Sequence, residues 1–378
     1  MNPRTPNPVT PPIDLVRPAI RAEAAYRVPT TVEAAAKLDQ NESPYDLPDE
    51  LKRAALDHFA EAPWNRYPDD RPHRLIAALE ARDGLPEGSV IVGRGSNELA
   101  QTLALCFLER GTPVVLPSPM FALYASVARM HGADIVDVPA GPDLRHDADA
   151  ILEAARRTSA PLTVVTTPNN PTGQAIAHAD LERLAAGVPG VLVVDEAYHE
   201  FLDGPTATDL LAEHANVLVL RTFSKALGLA GVRLGVMAGH PALVAEIEKS
   251  RVPFLVDRLG EAIGLAALDH ADLVAERVAE MKAERARLEA WAGRLDGVEV
   301  LPGAANFFLF RTPLAAPDLI ARMAERGVLV RNVTGYPALA GRDGRPGWAR
   351  ASVGTAGENR AFQDALAAVL EAEGVASA

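Results

Sequence analysis

The chain has 378 residues, of which 48% are hydrophobic and 23% charged, and its formal net charge is −13. This length predicts two domains, and the composition predicts a soluble globular protein, since no apolar run reaches the roughly 18–20 residues that span a bilayer. The acidic balance argues against nucleic acid as a partner, because such binding usually needs a basic face. The acidic net charge does not exclude small anionic substrates, which would need several arginines close together at their binding site.

The N-terminal residues and the single cysteine indicate the compartment. Residues 1–11 are rich in Pro, Asn and Thr, and we expect a flexible tail rather than a signal peptide or an anchor. We expect Cys106 to be a small buried apolar residue. One cysteine excludes an internal disulfide and a cysteine-based zinc site, and it favours a reducing cytoplasm. The nine histidines have no metal-binding spacing, so we expect no metal.

The first two thirds of the chain alternate short apolar runs with helical patterns. The runs predict seven strands at 89–92, 113–116, 134–138, 163–167, 191–194, 217–220 and 234–238. Alternation of this kind predicts an α/β fold, in which a mostly parallel seven-stranded sheet is covered by helices on both faces.

The last third changes character. A long helical stretch is predicted at 258–295, followed by helices at 316–326 and 358–373 and by strands at 298–301, 306–310, 328–331 and 349–353. These elements predict a smaller α+β domain, against which the extended N-terminal segment is expected to pack. The predicted boundaries are a large domain at 45–275 and a discontinuous small domain at 12–44 and 276–378, after the tail at 1–11.

Several polar residues stand directly after predicted strands, where open parallel sheets bind ligands. Asp195 ends one apolar run, Asn170 lies in the turn-rich loop after another, and Ser96 opens a helix whose free N–H groups suit a phosphate. Lys225 follows a fourth run, in a chain that has only 5 lysines against 32 arginines. A lysine amine can lose its proton and form an imine with an aldehyde, whereas a guanidinium cannot.

Three motifs with their separations resemble those of the fold-type I aminotransferases, which use pyridoxal 5′-phosphate (PLP). They are Asn169-Asn-Pro-Thr-Gly173, Asp195-Glu-Ala-Tyr198 and Ser224-Lys225, with Arg233 eight residues further on. The resemblance covers nearly the whole chain and implies the PLP-transferase fold type I.

The resemblance implies a role for each matching residue. Lys225 would form the Schiff base and then move the substrate proton, and Asp195 would pair with the pyridine nitrogen. Asn170 and Tyr198 would bond to the phenolate oxygen of the ring, and Phe121 would stack on the ring. The residues implied for the cofactor phosphate are Ser96, Asn97, Thr222, Ser224 and Arg233. Tyr67 resembles the tyrosine that reaches the phosphate in the neighbouring subunit, which implies a homodimer with shared active sites.

Other residues resemble the substrate-binding set of the histidinol-phosphate aminotransferase group. Arg350 matches the arginine that grips an α-carboxylate, and Arg331 with Tyr26 matches the positions that hold the substrate phosphate. Asn41 lies in an Asn-Glu-x-Pro segment of the same group, but the Gly-Pro-Ser that commonly follows it is absent. The implied reaction is amino transfer from L-histidinol phosphate to 2-oxoglutarate, giving imidazole-acetol phosphate and L-glutamate in histidine biosynthesis.

Three alternatives use the same cofactor frame. An aromatic or broad-range aminotransferase would keep Arg350 without needing a phosphate clamp. A threonine-phosphate decarboxylase would keep phosphate recognition, and Arg331 does not distinguish it from a histidinol-phosphate aminotransferase. A transcription regulator with an aminotransferase-like domain would need a DNA-binding extension, and the N-terminal segment is too short and too weakly basic to supply one.

Overall fold

A computed structural model describes residues 12–25, 34–341, 344 and 346–374. The strands, in chain order, are β1 (Ala36–Lys37), β2 (Val90–Gly93), β3 (Pro113–Ser118), β4 (Asp134–Pro139), β5 (Leu162–Thr166), β6 (Val191–Asp195), β7 (Val217–Thr222), β8 (Gly235–Gly239), β9 (Glu299–Leu301), β10 (Phe307–Arg311), β11 (Val328–Leu329), β12 (Arg331–Asn332) and β13 (Ala349–Ser352). The helices are α1 (Pro18–Arg21), α2 (Asp49–Glu61), α3 (His73–Asp83), α4 (Ser96–Phe107), α5 (Ala122–His131), α6 (Ala148–Thr158), α7 (His178–Gly187), α8 (Pro241–Glu248), α9 (Arg258–Leu268), α10 (Ala271–Ala292), α11 (Ala316–Glu325) and α12 (Ala356–Ala372). No helix among the described residues is long and apolar enough to cross a membrane.

Seven strands form a central sheet in the order β2-β8-β7-β6-β5-β3-β4. Strand β8 runs antiparallel to both of its neighbours, and the other pairs are parallel. The predicted α/β fold with a mostly parallel seven-stranded sheet is confirmed. We call this sheet and its covering helices the large-sheet unit.

Alternate residues of the central strands pack on opposite faces of the sheet. In β7, Leu218 and Leu220 join a core with α4 and α5, whereas Val217 and Val219 join a core with α6 and α7. Because strand side chains alternate between faces, a continuous apolar run buries both of them. The last two residues of β7, Arg221 and Thr222, are polar and lie at the carboxyl edge of the sheet.

The second unit contains the antiparallel sheet β12-β13-β10-β9 and the parallel pair β1-β11. With α10, α11 and α12 it forms what we call the small-sheet unit. Its core includes Phe308, Phe310 and Phe362, and the rings of Phe310 and Phe362 meet edge to face at 5.5 Å. Strand β1 thus joins the N-terminal segment to this unit, whereas Glu23 bonds to Ser126 of α5 in the large-sheet unit. The predicted domain boundaries stay a prediction.

Two elements differ from their predicted extent. The helical stretch at 258–295 is divided into α9, which ends at Leu268, and α10, which begins at Ala271. At this junction the ring of His270 bonds to the carbonyl oxygen of Ala266, near the end of α9, at 2.8 Å. The strand predicted at 328–331 is divided at Val330 into β11 and β12, which pair in different sheets.

The expectation that Cys106 is buried is wrong. Its side chain lies in the last turn of α4 and is exposed. There its Sγ lies 3.1 Å from the Oγ of Ser250, just beyond α8, rather than in the core with Leu99 and Leu103. Cys106 lies with Leu105 on the exposed side of this turn, whereas Phe107 and Leu108, the next two residues, pack against the core.

Candidate active site

A cavity of about 710 Å³ lies at the carboxyl edge of the large sheet, facing β12 and β13 of the small-sheet unit. Most of the predicted site residues meet there, although they come from five loops of the large-sheet unit and three segments of the small-sheet unit. Those that line the cavity are Asn41, Ser96, Asn97, Phe121, Asn170, Asp195, Tyr198, Thr222, Ser224, Lys225, Arg233, Arg331 and Arg350.

Asp195 is the last residue of β6 and is 7% exposed. Its Oδ2 accepts a hydrogen bond from the Tyr124 hydroxyl at 2.7 Å, and its Oδ1 accepts one from the N–H of Ala197 at 3.0 Å. Burial raises the pKa of the Asp195 carboxyl, while the two donors act against that rise. The arrangement holds a carboxylate with one fixed orientation in a buried place, which suits pairing with a cation.

Lys225 follows β7 by three residues and points into the cavity wall formed by the N-terminal strap, residues 38–45. Its Nζ donates to the backbone oxygen of Gln40 at 3.0 Å and lies 6.0 Å from the centroid of the Tyr198 ring. Burial, followed by the positive charge of Arg350, lowers the pKa of the Lys225 amine to about 8. A substantial fraction of this amine is therefore neutral and nucleophilic near physiological pH.

Tyr198 is tied to the strap by Asn41, whose Nδ2 donates to the tyrosine oxygen at 2.9 Å. Asn41 has a φ of 54° and is held by Ser352, whose Oγ donates to the Asn41 Oδ1 at 3.1 Å. Burial raises the pKa of Tyr198 to about 12, so its hydroxyl stays protonated and can donate to an anionic oxygen. Both units thus position one phenol beside Lys225.

An anion cradle forms where α4 begins. Gly95 precedes the helix with a φ of 79° and no side chain caps the free N–H groups of its first turn. The hydroxyls of Thr222 and Ser224 lie 3.0 Å apart, and Nη1 of Arg233 lies 3.4 Å from the Ser224 oxygen. A Cβ atom on Gly235 would lie 2.3 Å from the carbonyl carbon of Gly95, so only glycine allows this close approach.

Two arginines lie directly opposite each other on neighbouring strands at the edge of the small sheet. Arg331 in β12 is the direct partner of Arg350 in β13. The guanidinium of Arg350 donates to Asn170 Oδ1 at 2.6 Å and to the backbone oxygen of Asp39 at 2.8 Å. Its Nε is buried and has no hydrogen-bond partner among the described residues. Burial lowers the pKa of Arg350, and the charge of Arg331 adds to this effect. Like charges directly opposite each other destabilise a sheet, so this edge favours an anionic ligand.

Comparison with known protein families identifies the family of this chain. The sequence profile of the family described as "Aminotransferase class I and II" matches residues 34–368. The chain belongs to this aminotransferase family. A relative from Chlorobaculum tepidum, named histidinol-phosphate aminotransferase, is 42% identical over 325 residues, which cover 86% of this chain and 93% of the relative.

Solved structures agree with the family. The histidinol-phosphate aminotransferase from Sinorhizobium meliloti, solved in complex with pyridoxal 5′-phosphate, has a TM-score of 0.83 at 28% identity and covers 94% of this chain and 97% of its own. An L-threonine-O-3-phosphate decarboxylase from Porphyromonas gingivalis has a TM-score of 0.76 at 21% identity, covering 88% of this chain and 99% of its own. The second likeness concerns the fold alone, so the fold does not separate transamination from decarboxylation.

This aminotransferase uses pyridoxal 5′-phosphate, and the donors around the cavity fit that group. The cradle at the start of α4, with its two required glycines, suits the phosphate. Asp195, buried and oriented, suits the pyridinium nitrogen, and Lys225 supplies an amine with a lowered pKa for the aldehyde. Phe121 lines the same cavity at the start of α5, and its predicted stacking on the ring stays a prediction.

One predicted residue among those described lies apart from the cavity. Tyr67 is 77% exposed and stacks on Phe254, with ring centroids 4.6 Å apart. Because Tyr67 lies outside the cavity of its own chain, its contact with the cofactor phosphate of a neighbouring subunit stays a prediction. Tyr26 lies outside the described residues.

Sequence reasoning missed one group that positions Asp195 and a buried ion pair beside it. Tyr124 lies one helical turn after Phe121, which was the available signal, and it bonds directly to the carboxylate. Glu196, the next residue after Asp195, is 2% exposed and accepts from Arg221 at 3.0 Å and from the N–H of Ala207 at 2.7 Å. An arginine in the otherwise apolar strand β7 was the signal for this buried ion pair.

Proposed function

We propose that this aminotransferase transfers the amino group of L-histidinol phosphate to 2-oxoglutarate, giving imidazole-acetol phosphate and L-glutamate in histidine biosynthesis. The observation that carries the proposal is the opposed pair Arg331 and Arg350, which offers two positive charges on the substrate side of the Lys225 cavity. The relatives that carry this name and align with most of the chain support it.

The cofactor residues have distinct tasks in this reaction. Bound pyridoxal 5′-phosphate supplies an aldehyde for the amino group and a pyridinium ring that takes up the electron pair released at the substrate Cα. Asp195 keeps the ring nitrogen protonated by pairing with it. Tyr198 and Asn170 would donate to the phenolate oxygen of the cofactor, and the free amine of Lys225 would take the proton from the substrate Cα. Ser96, Asn97, Thr222, Ser224 and Arg233 hold the phosphate, and Phe121 stacks on the ring.

The substrate-binding residues bind the anionic groups of the two substrates. Arg350 binds the α-carboxylate of glutamate through a bidentate pair, and Arg331 with Tyr26 binds the phosphate of histidinol phosphate. Asn41 orients the strap that closes the cavity beside Lys225. Because both substrates present their anionic ends to the same edge, one cavity serves both half-reactions.

The enzyme acts as a homodimer in the cytoplasm under this proposal. Trp64, Tyr67, Val252 and Phe254 are large apolar residues with 40% to 77% of their surface exposed, which is typical of a surface that a partner covers. A second copy would cover these residues, and Tyr67 would reach the cofactor phosphate held by the other subunit. Sedimentation at micromolar concentration should give twice the mass of one chain.

Half-reaction rates with a panel of amino donors test the substrate. The purified enzyme is mixed in single-turnover amounts with L-histidinol phosphate, L-histidinol, L-phenylalanine and O-phospho-L-threonine, and the products are identified by mass spectrometry. We expect L-histidinol phosphate to react fastest and to yield its keto product. A preference for phenylalanine would identify an aromatic aminotransferase instead, and release of carbon dioxide from phosphothreonine would identify a decarboxylase.

A further inference from the structure

Leu144, in the loop between β4 and α6 of the large-sheet unit, is buried in the small-sheet unit. It is 9% exposed and packs in an apolar cluster whose other buried members are Leu309, Val333, Leu339 and Trp348. All four partners belong to the small-sheet unit. Leu144 therefore joins the two units through apolar contact.

The loop presents this side chain rigidly. Its backbone closes on itself, because Leu144 N–H donates to the Gly141 oxygen at 2.9 Å and Gly141 N–H donates to the Arg145 oxygen at 3.0 Å. The ring of His146 lies 3.2 Å from the backbone oxygen of Pro119, which anchors the loop to the large-sheet unit. Leu144 has a φ of 61°, a left-handed conformation that leucine rarely adopts. Such a conformation persists only where the surrounding structure maintains it.

The cluster that receives Leu144 lies next to the two cavity arginines. Val333 follows Arg331 by two residues and itself lines the cavity, and Trp348 precedes Arg350 by two residues. A shift of the cluster relative to the large-sheet unit would therefore move both arginines relative to Lys225. Removing the leucine side chain would leave a void at this junction, which packed interiors fill only in part.

We propose that Leu144 is a positioning residue that sets the distance between the arginine edge of the small-sheet unit and the Lys225 side of the cavity. It touches no reacting atom and acts through Val333 and Trp348. This inference rests on the proposed function only in so far as Arg331 and Arg350 bind substrate anions. Loss of the Leu144 side chain should therefore weaken binding of any substrate that places an anionic group on these arginines, glutamate included, whichever amino donor the enzyme prefers.

The test compares Leu144→Ala with Leu108→Ala in the holoenzyme. Leu108 is a matched control, because it is 7% exposed and its cluster lies entirely within the large-sheet unit. We expect Leu144→Ala to raise KM for glutamate and for L-histidinol phosphate about tenfold, with kcat within about twofold and the cofactor absorbance unchanged. KM should stay near the wild-type value in Leu144→Met, because methionine fills a similar apolar volume.

Hydrogen exchange provides a readout that is independent of activity. Amides at 331–339 and 348–352 should exchange faster in Leu144→Ala than in the wild type or in Leu108→Ala, while those of β5 to β7 stay unchanged. The inference is overturned if both alanine variants raise KM equally, or if Leu144→Ala lowers cofactor affinity while KM stays constant. Because glutamate is included, failure of histidinol phosphate as a donor would contradict the proposed function and leave this comparison intact.

Discussion

The amine of Lys225 should react with the cofactor aldehyde at a pH well below the ordinary range of a lysine. Burial, and then the charge of Arg350, lowers its pKa from 10.5 to about 8. Only the neutral amine attacks a carbonyl, so a lower pKa raises the reactive fraction at a given pH. At pH 7.5 that fraction is about one quarter, against about one in a thousand for an unperturbed lysine.

Two variants should move the midpoint of this reaction in opposite directions. The charge of Arg350 lowers the pKa of Lys225 and that of Glu42 raises it. Arg350→Gln should therefore raise the midpoint and Glu42→Gln should lower it, each by about half a unit for one charge at a partly solvated site. Movement of both midpoints in the same direction would contradict the electrostatic reasoning.

The assay follows the bond to the cofactor directly. Cofactor-free protein is mixed briefly with pyridoxal 5′-phosphate between pH 6 and 10.5, reduced with borohydride, digested and analysed by mass spectrometry. Labelling of Lys225 should rise with pH and level off above a midpoint near 8. Lys249, whose side chain is 68% exposed, provides an internal control in the same digest. A Lys225 profile that coincides with that of Lys249 would refute the argument.

Two further variants test how the cofactor is held. Tyr124→Phe removes a donor that lowers the pKa of Asp195, so the ionised carboxylate should be lost at a higher pH on acidification. Cofactor affinity, measured by fluorescence titration, should fall about fivefold near neutral pH and more at lower pH. If cofactor affinity falls on acidification at the same pH as in the wild type, Tyr124 does not have this role. Gly235→Ala should displace Gly95 from the anion cradle and cause loss of cofactor on gel filtration. Gly357→Ala in α12 is its control, because it lies outside the cavity and a Cβ there meets only the Thr355 hydroxyl at 3.9 Å. Equal retention by both variants would count against the cradle.

The large sheet was predictable because its strands contain short apolar runs, which in β6 and β7 end in a polar residue. The pattern does not record where a chain changes direction inside such a run. Val330 lies in an apolar stretch, yet β11 and β12 on either side of it pair in different sheets. The end of α9 and the bond from the His270 ring to Ala266 beside it are likewise not revealed by charge spacing.

The site was predictable where a residue ends a strand and less so where it contacts the site from another element. Asp195 and Lys225 follow β6 and β7, so their meeting follows from parallel strand order. The bond between Tyr124 and Asp195 joins residues 71 positions apart and depends on how α5 packs on the sheet. The approach of Leu144 to Trp348 depends in the same way on how the two units meet.

The phosphate specificity of Arg331 tests the central claim most directly. The measurement is the ratio of kcat/KM for L-histidinol phosphate to that for L-histidinol, in the wild type, Arg331→Gln and the control Arg322→Gln. Arg322 of α11 pairs with Glu373 in the same small-sheet unit, outside the cavity. Loss of a charge-assisted contact should lower the ratio roughly 10- to 150-fold in Arg331→Gln alone. A ratio that stays at the wild-type value in Arg331→Gln would contradict the account.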